Sequence, residues 1–354
     1  MGLEVKLHEY VFTDGVPFES CHASTLIALP DGQVVAAWFA GTREGADDVA
    51  IWLSRREGGA WTKPVKAADD EAEPHWNPVL FQDGGGKVWL FYKVGKKISS
   101  WRTMYITSED GGRTWSTPEL LVAGDSGGRG PVKNKPIVLR NGAWAAPASL
   151  ELYEWDALVD LSYDNGLTWT ASEKIALRHS GEGDAKGKGV IQPTLWESEP
   201  GHVHMLLRST NGYICRSDSQ DSGKTWSEVC ATELPNNNSG IDLVRMNSGT
   251  LALVYNPIGI NWGARTPIVI RLSRDNGATW GDTLELENTP GEYSYPAIVS
   301  SGEDLYITYT WKRERIAFWK LTVTDHDCSI QEIAYPIAGN SIQSRNRQQK
   351  ERCL

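Results

Sequence analysis

No stretch of the 354 residues approaches the roughly 20 consecutive apolar residues that a membrane-crossing helix needs. The N-terminus, MGLEVKLHEY, lacks a basic segment followed by an apolar one. No secretory signal is read there, and a cytoplasmic location is expected. Cysteine is scarce: five residues, at 21, 215, 230, 328 and 353, odd in number and without CxxC spacing. That argues against a disulfide framework or a zinc site and leaves buried free thiols as the expectation. Basic charge is short, with 35 Lys and Arg against 45 Asp and Glu and a net charge of −10, which speaks against a general nucleic-acid binder. Long segments with helical periodicity are also missing. What is abundant is Trp, with 16 copies, beside 35 Gly and 17 Pro. This mixture suits short strands, tight turns and aromatic staples.

A repeat accounts for much of it. SEDGGRTW at 108–115, SYDNGLTW at 162–169, SQDSGKTW at 219–226 and SRDNGATW at 273–280 share Ser-x-Asp-x-Gly-x-Thr-Trp. A worn copy without the Asp, SRREGGAW, lies at 54–61. Each copy reads as a hairpin turn. The Asp accepts backbone N–H bonds, the Gly supplies a left-handed conformation and the Trp staples the turn to the next layer. The repeat builds structure and does no chemistry.

Between the copies, six pairs of apolar strands recur, from STLIALPDGQVVAAWFA to YPAIVSSGEDLYITYTW. Four strands per unit of about 50 residues is the pattern of a propeller blade. The expected fold is therefore all-β, a six-bladed β-propeller over residues 1–338. Its ring is closed by an N-terminal strand near 4–12, and a polar, basic tail follows at 339–354. A propeller closes its own edges, so a monomer is expected.

The repeated Asp box on six blades resembles the sialidase (neuraminidase) superfamily. HASTLIALPDG, WFAGTREG, HWNPVLF, QPTLW, NNNSGIDLV and YSYPAI are similar, more narrowly, to its "predicted neuraminidase" group of BNR-repeat proteins. The resemblance covers about residues 20–325.

Propeller ligands sit where the first strands begin. Those starts are Cys21-His22-Ala23, His75-Trp76-Asn77, Lys133-Asn134-Lys135, Val190-Ile191-Gln192, Asn238-Ser239-Gly240 and Tyr293-Ser294-Tyr295. They form a ring of polar and aromatic groups ahead of apolar strands, the composition of a binding mouth. The resemblance implies a carboxylate-binding arginine triad, a Tyr nucleophile activated by Glu, and an Asp acid/base. Arg208 and Arg265 match two of the triad, and the planar guanidinium fork suits a carboxylate. Tyr293 falls at the nucleophile's place, with Tyr295 as rival. Arg43 matches an arginine beside the substrate. Asp48 matches the acid/base, with Asp47 as rival. Two places depart from the pattern: His22 stands where the first triad arginine belongs, and Gln192 where the Glu belongs. Gln192 cannot take a proton, and a tyrosine without a base is a poor nucleophile.

The remaining chemistry lies with His22 and His75, which open adjacent blades and titrate near neutrality. Lys133 and Lys135 add positive potential, and Glu151 and Asp242 are further carboxylates. Asn77 and Trp76 line the mouth as substrate-binding candidates, and Trp155, Trp262 and Trp311 are rim candidates. His202 and His204 fit blade packing, and neither metal nor cofactor is expected.

Three functions compete. The first is an exo-acting glycoside hydrolase on an acidic sugar, whose carboxylate is held by Arg208 and Arg265. The second is a lyase that cleaves a uronate linkage by His- and Tyr-assisted elimination. The third is a glycan-binding propeller without turnover. The partner in each is a carbohydrate bearing a carboxylate, with no nucleic acid and no membrane.

Overall fold

The computed structural model describes residues 2–70, 72–125, 127–175 and 189–324. The tail at 339–354, Cys328 and Cys353 lie outside these residues. Within them the chain is almost wholly strand, and the helical content is one short 3₁₀ turn, Ile98–Ser100. The strands form six antiparallel sheets, each built mainly from one repeat unit. This is a six-bladed β-propeller.

The innermost strands of blades one to six are Ser20–Ala28, His75–Gln82, Ile137–Val138, Val190–Glu199, Asp242–Arg245 and Tyr293–Ser301. The second strands, such as Val34–Gly41 and Val88–Val94, are buried throughout. Covered on both faces by neighbouring blades, they read as continuous apolar runs. Blade six takes its outer strand from the other end of the chain: Gly2–Tyr10 pairs with Arg315–Thr324, from Gly2 opposite Thr324 to Tyr10 opposite Ala317.

The Asp boxes follow the third strands and behave as turns. In the second box Asp164 accepts from the Thr168 amide (2.9 Å) and hydroxyl (2.6 Å), while Ser162 Oγ accepts from the Gly166 amide (2.8 Å). The boxes at 108–115, 219–226 and 273–280 repeat these bonds. Trp169 inserts among Phe91 and Trp144 between blades. Cys21 and Cys215 are buried free thiols. Cys230 corrects the free-thiol expectation, because it is disulfide-bonded; it lies on a half-exposed outer strand.

Charged groups lock the axis. Lys135 binds both Asp242 oxygens (3.0 and 2.9 Å), and Asp242 also accepts from Thr194 Oγ1 (2.8 Å) and the Ile298 amide (2.9 Å). One carboxylate thus ties blades three, four, five and six. Lys133 donates to Asn134 Oδ1, the Ile241 carbonyl and the Pro296 carbonyl. Burial pulls its ammonium down to about 7, and these bonds hold it in the channel wall.

Candidate functional site

Each blade opens with one residue in the left-handed region: Ala23, Asn77, Lys133, Gln192, Asn238 and Tyr295, with φ between 44° and 67°. In blades one, two, four and six a register shift follows at the same place. For a non-glycine residue this conformation costs about 1–2 kcal/mol. Bulges of this kind re-aim side chains beside functional sites. Here they turn Gln192, Asn238 and Tyr295 onto a common partner.

That partner is Arg208, on the second strand of blade four and 3% exposed. Its Nε donates to Asn238 Oδ1 (2.8 Å), and its Nη1 donates to Gln192 Oε1 (3.1 Å) and to the Tyr295 hydroxyl (2.8 Å). The guanidinium carbon lies 5.4 Å from the Trp155 ring centroid and 5.9 Å from that of Trp262. Among the described residues no carboxylate pairs with it.

Two more guanidinium groups complete the cluster. Arg265 faces the Tyr295 ring at 5.6 Å and donates to Glu292 (2.6 Å). Arg313, from the Trp311–Arg315 hairpin of blade six, holds both Glu292 oxygens through Nε (3.1 Å each) and Glu44 through Nη1 (2.5 Å). The three arginines face two glutamates, Glu292 and Glu44. Arg313, Glu292 and Glu44 are absent from the sequence-based candidates. The only signals were the cation-rich turn WKRER and an acid just ahead of Tyr293.

His22 lies against Tyr295, with ring centroids 4.3 Å apart, and its Nδ1 bonds Thr310 Oγ1 at 2.9 Å. Burial, reinforced by Arg313, Arg265, Arg208 and Lys133, holds it far below its ordinary range and keeps it neutral. The structure thus gathers Arg208, Arg265, Tyr295, Gln192 and His22, with Lys133 beneath them.

Other candidates lie elsewhere. Tyr293 is fully buried between blades five and six, and its hydroxyl bonds Thr289 Oγ1 (2.6 Å). The hydroxyl that reaches the arginines belongs to Tyr295, because the left-handed turn at 295 reverses which side chain faces the axis. His75 stacks on Tyr92, bonds the Glu73 carbonyl and is kept neutral mainly by burial. Trp76 packs on Phe39 and Trp101, with its indole N–H on the Gly95 carbonyl. Asn77 is buried beside it. Asp48 is turned back onto Thr42, accepting from its amide (2.9 Å) and hydroxyl (2.5 Å), which lowers its carboxyl pKa. Arg43 is exposed in the same loop, and Asp47 pairs with Lys96. Among the described residues no group of three or more His, Cys, Asp or Glu side chains is placed to hold a metal.

An axial mouth lined by three arginines and a tyrosine, on six blades of which four carry an Asp box, defines a sialidase-like propeller. Residues 32–307 match the BNR repeat-like domain family; the chain belongs to that family, within the sialidase superfamily. A sialidase of Clostridium perfringens is 24% identical over 243 residues, 57% of this chain and 58% of the relative. The chain thus spans little more than half the length of that relative. Among solved structures, a protein of unknown function from Dyadobacter fermentans superposes with a TM-score of 0.74 at 16% identity, covering 91% of this chain and all of its own. A Hadza microbial sialidase gives 0.74 at 18% identity, covering 90% of this chain and 68% of its own.

Proposed function

We propose that the chain is an exo-acting glycoside hydrolase of an acidic sugar, a sialic acid or a related nonulosonate or uronate glycan. Arg208 and Arg265 hold the carboxylate, with Arg313 as the third cation. The observation that carries this reading is Arg208, a buried guanidinium with no acid partner among the described residues. An uncompensated buried charge is costly, and a ligand carboxylate bound to this guanidinium relieves that cost. Tyr295, receiving a hydrogen bond from Arg208 and flanked by Arg265, stabilises positive charge developing at the anomeric carbon. The sialidase activity of the C. perfringens and Hadza relatives is consistent with this reading.

One observation favours a second reading. Tyr295 contacts Gln192 through Arg208 and has a neutral His22 against its ring. A neutral imidazole beside a tyrosine, with arginines on the carboxylate, is also the equipment for abstracting the proton next to that carboxylate. The two readings predict different products. We would incubate the protein with sialosides and uronate oligosaccharides and analyse products by mass and ultraviolet absorbance. Gain of water supports the hydrolase, and unsaturation without water supports the lyase. Binding without turnover leaves a lectin-like propeller. In each case Arg208→Met is expected to weaken carboxylate binding by about 30-fold or more, the 2–5 kcal/mol typical of truncating one side of a buried charge pair. Unchanged affinity in that variant would remove the clamp from the proposal.

A further inference from the structure

A second chemical constellation lies at the far end of blade four. The inner strand Val190–Glu199 carries Gln192 near the mouth. Ser198 stands further along the same strand, about 20 Å away at the usual rise per residue. Ser198 is partly exposed and is the bulged residue of its strand: Glu197 pairs with Val203 and Glu199 with His202, so the ladder skips position 198. A bulge re-aims its side chain. Here it turns Ser198 Oγ onto His204 Nε2, 2.7 Å away. On the other side of the ring, His204 Nδ1 lies 2.5 Å from Asp218 Oδ1. Residues 204 and 218 face each other across the next strand pair, so three neighbouring strands each supply one member.

The surroundings fix the imidazole tautomer. Burial raises the Asp218 carboxyl, but the bonds from His204 and Arg216 outweigh it and hold the group below its ordinary range, as an anion. A carboxylate can only accept, so His204 Nδ1 carries the ring proton. Arg216 Nε donates to the same Asp218 oxygen (2.9 Å), and its Nη2, 3.1 Å from His204 Nδ1, adds charge without donating to that nitrogen. At Nε2 the same answer comes from Asn276, in the Asp box of blade five. The Trp196 indole N–H can only donate, and it binds Asn276 Oδ1 (2.7 Å). Asn276 Nδ2 therefore faces His204 Nε2 (3.2 Å), and Nε2 presents a lone pair. The Trp196 ring stacks on the imidazole with centroids 4.9 Å apart. His204 is 8% exposed and is held where it can take the Ser198 proton.

We propose that Ser198, His204 and Asp218 form a second active site, separate from the axial mouth, that cleaves small acyl esters. A serine bonded to a base that is itself oriented by an acid is the arrangement that makes a hydroxyl nucleophilic. The site is open at the blade rim, with the Asp218 side chain 41% exposed, which suits a short acyl group that needs no enclosing cavity. In the first step Ser198 Oγ bonds to the ester carbonyl carbon, its proton passes to His204 Nε2, and the carbonyl pair moves onto oxygen. Once protonated, Nε2 no longer accepts from Asn276, whose N–H is released toward that oxyanion. The intermediate then expels the alcohol oxygen, which takes the proton from His204. Water repeats the sequence on the acyl-serine, releasing the acid and restoring the hydroxyl.

The test treats the intact protein with a fluorophosphonate, which bonds to an activated serine with loss of fluoride, and maps the modified residue by peptide mass spectrometry. Stoichiometric labelling at Ser198 is expected. His204→Gln keeps a hydrogen-bonding side chain but no base, and is expected to slow that labelling at least about a hundredfold, the ordinary contribution of a general base. Should His204→Gln fail to fold, Asp218→Asn takes its place. It is expected to slow labelling by about tenfold or more through loss of the tautomer, with an unchanged thermal midpoint. Turnover is read with 4-nitrophenyl acetate, and Ser198→Ala is expected to release nitrophenol more slowly than wild type. An unmodified Ser198, or labelling at the same rate in wild type and variant, overturns the activated serine. Equal acetate hydrolysis by wild type and Ser198→Ala overturns the esterase assignment. None of these outcomes bears on the axial carboxylate clamp, which stands or falls by Arg208→Met.

Discussion

His22 shows how far one side chain's chemistry is set by its neighbours. Its place at the start of blade one is where the resemblance calls for an arginine. A third cation of the cluster, Arg313, lies 291 positions away on the blade-six hairpin, and its field falls on His22. The place of Arg313 was not legible in sequence, because nothing local to WKRER says which way the hairpin tip points. The pH consequence has a definite sign. Folded His22 stays neutral well below 6.5, while in the unfolded chain it titrates near 6.5. Between those values the unfolded state binds more protons, so this residue's contribution to stability rises with pH and is fully present above about 6.5. Urea midpoints should therefore fall from pH 7 to pH 5, and His22→Gln should make that fall shallower. Some slope should persist, since burial also depresses His75 and His8. An identical slope in the variant would mean that the imidazole is protonated without cost in the folded protein.

The inner strand is the element that turns blade architecture into a site. The sequence exposed its polar and aromatic starts, because Asn, His, Gln and Tyr interrupt otherwise apolar runs. It did not expose the left-handed residue in each start. Asn77 and Asn238 are types that visit this region readily, but Ala23, Lys133, Gln192 and Tyr295 are not. The choice between Tyr293 and Tyr295 turned on that feature, since plain alternation puts both tyrosines on one face. Backbone strain also makes a prediction at this scale. Asn77 sits at φ 44°, where a β-branched side chain is disfavoured and glycine is not. Asn77→Val is expected to lose roughly 1–2 kcal/mol, and Asn77→Gly only a few tenths, by denaturant unfolding. Equal losses would show that side-chain packing, not backbone conformation, decides which residue the bulge accepts.

At the scale of the whole molecule the ring depends on joining its two ends. The six recurring strand pairs made the blade count legible, and the closing N-terminal strand was legible to within a few residues. Hydrogen bonds along Gly2–Tyr10 cover the edge of Arg315–Thr324, and His8 stacks on Trp319 with centroids 4.0 Å apart. Leu3 and Tyr10 pack on the core shared by blades five and six. A chain lacking residues 2–10 would leave an unpaired strand and open that core to water. Such an edge templates pairing with another copy. Removal is therefore expected to lower the thermal midpoint markedly and to produce concentration-dependent association in sedimentation velocity. The arginine cluster should loosen with it, because Arg313 sits on the hairpin joining the last two strands of blade six. Carboxylate binding should then weaken more than stability alone predicts at temperatures well below the midpoint. If the shortened protein instead melts at the same midpoint and stays monomeric, the ring is held by its inter-blade core alone, and the terminal strand only covers it.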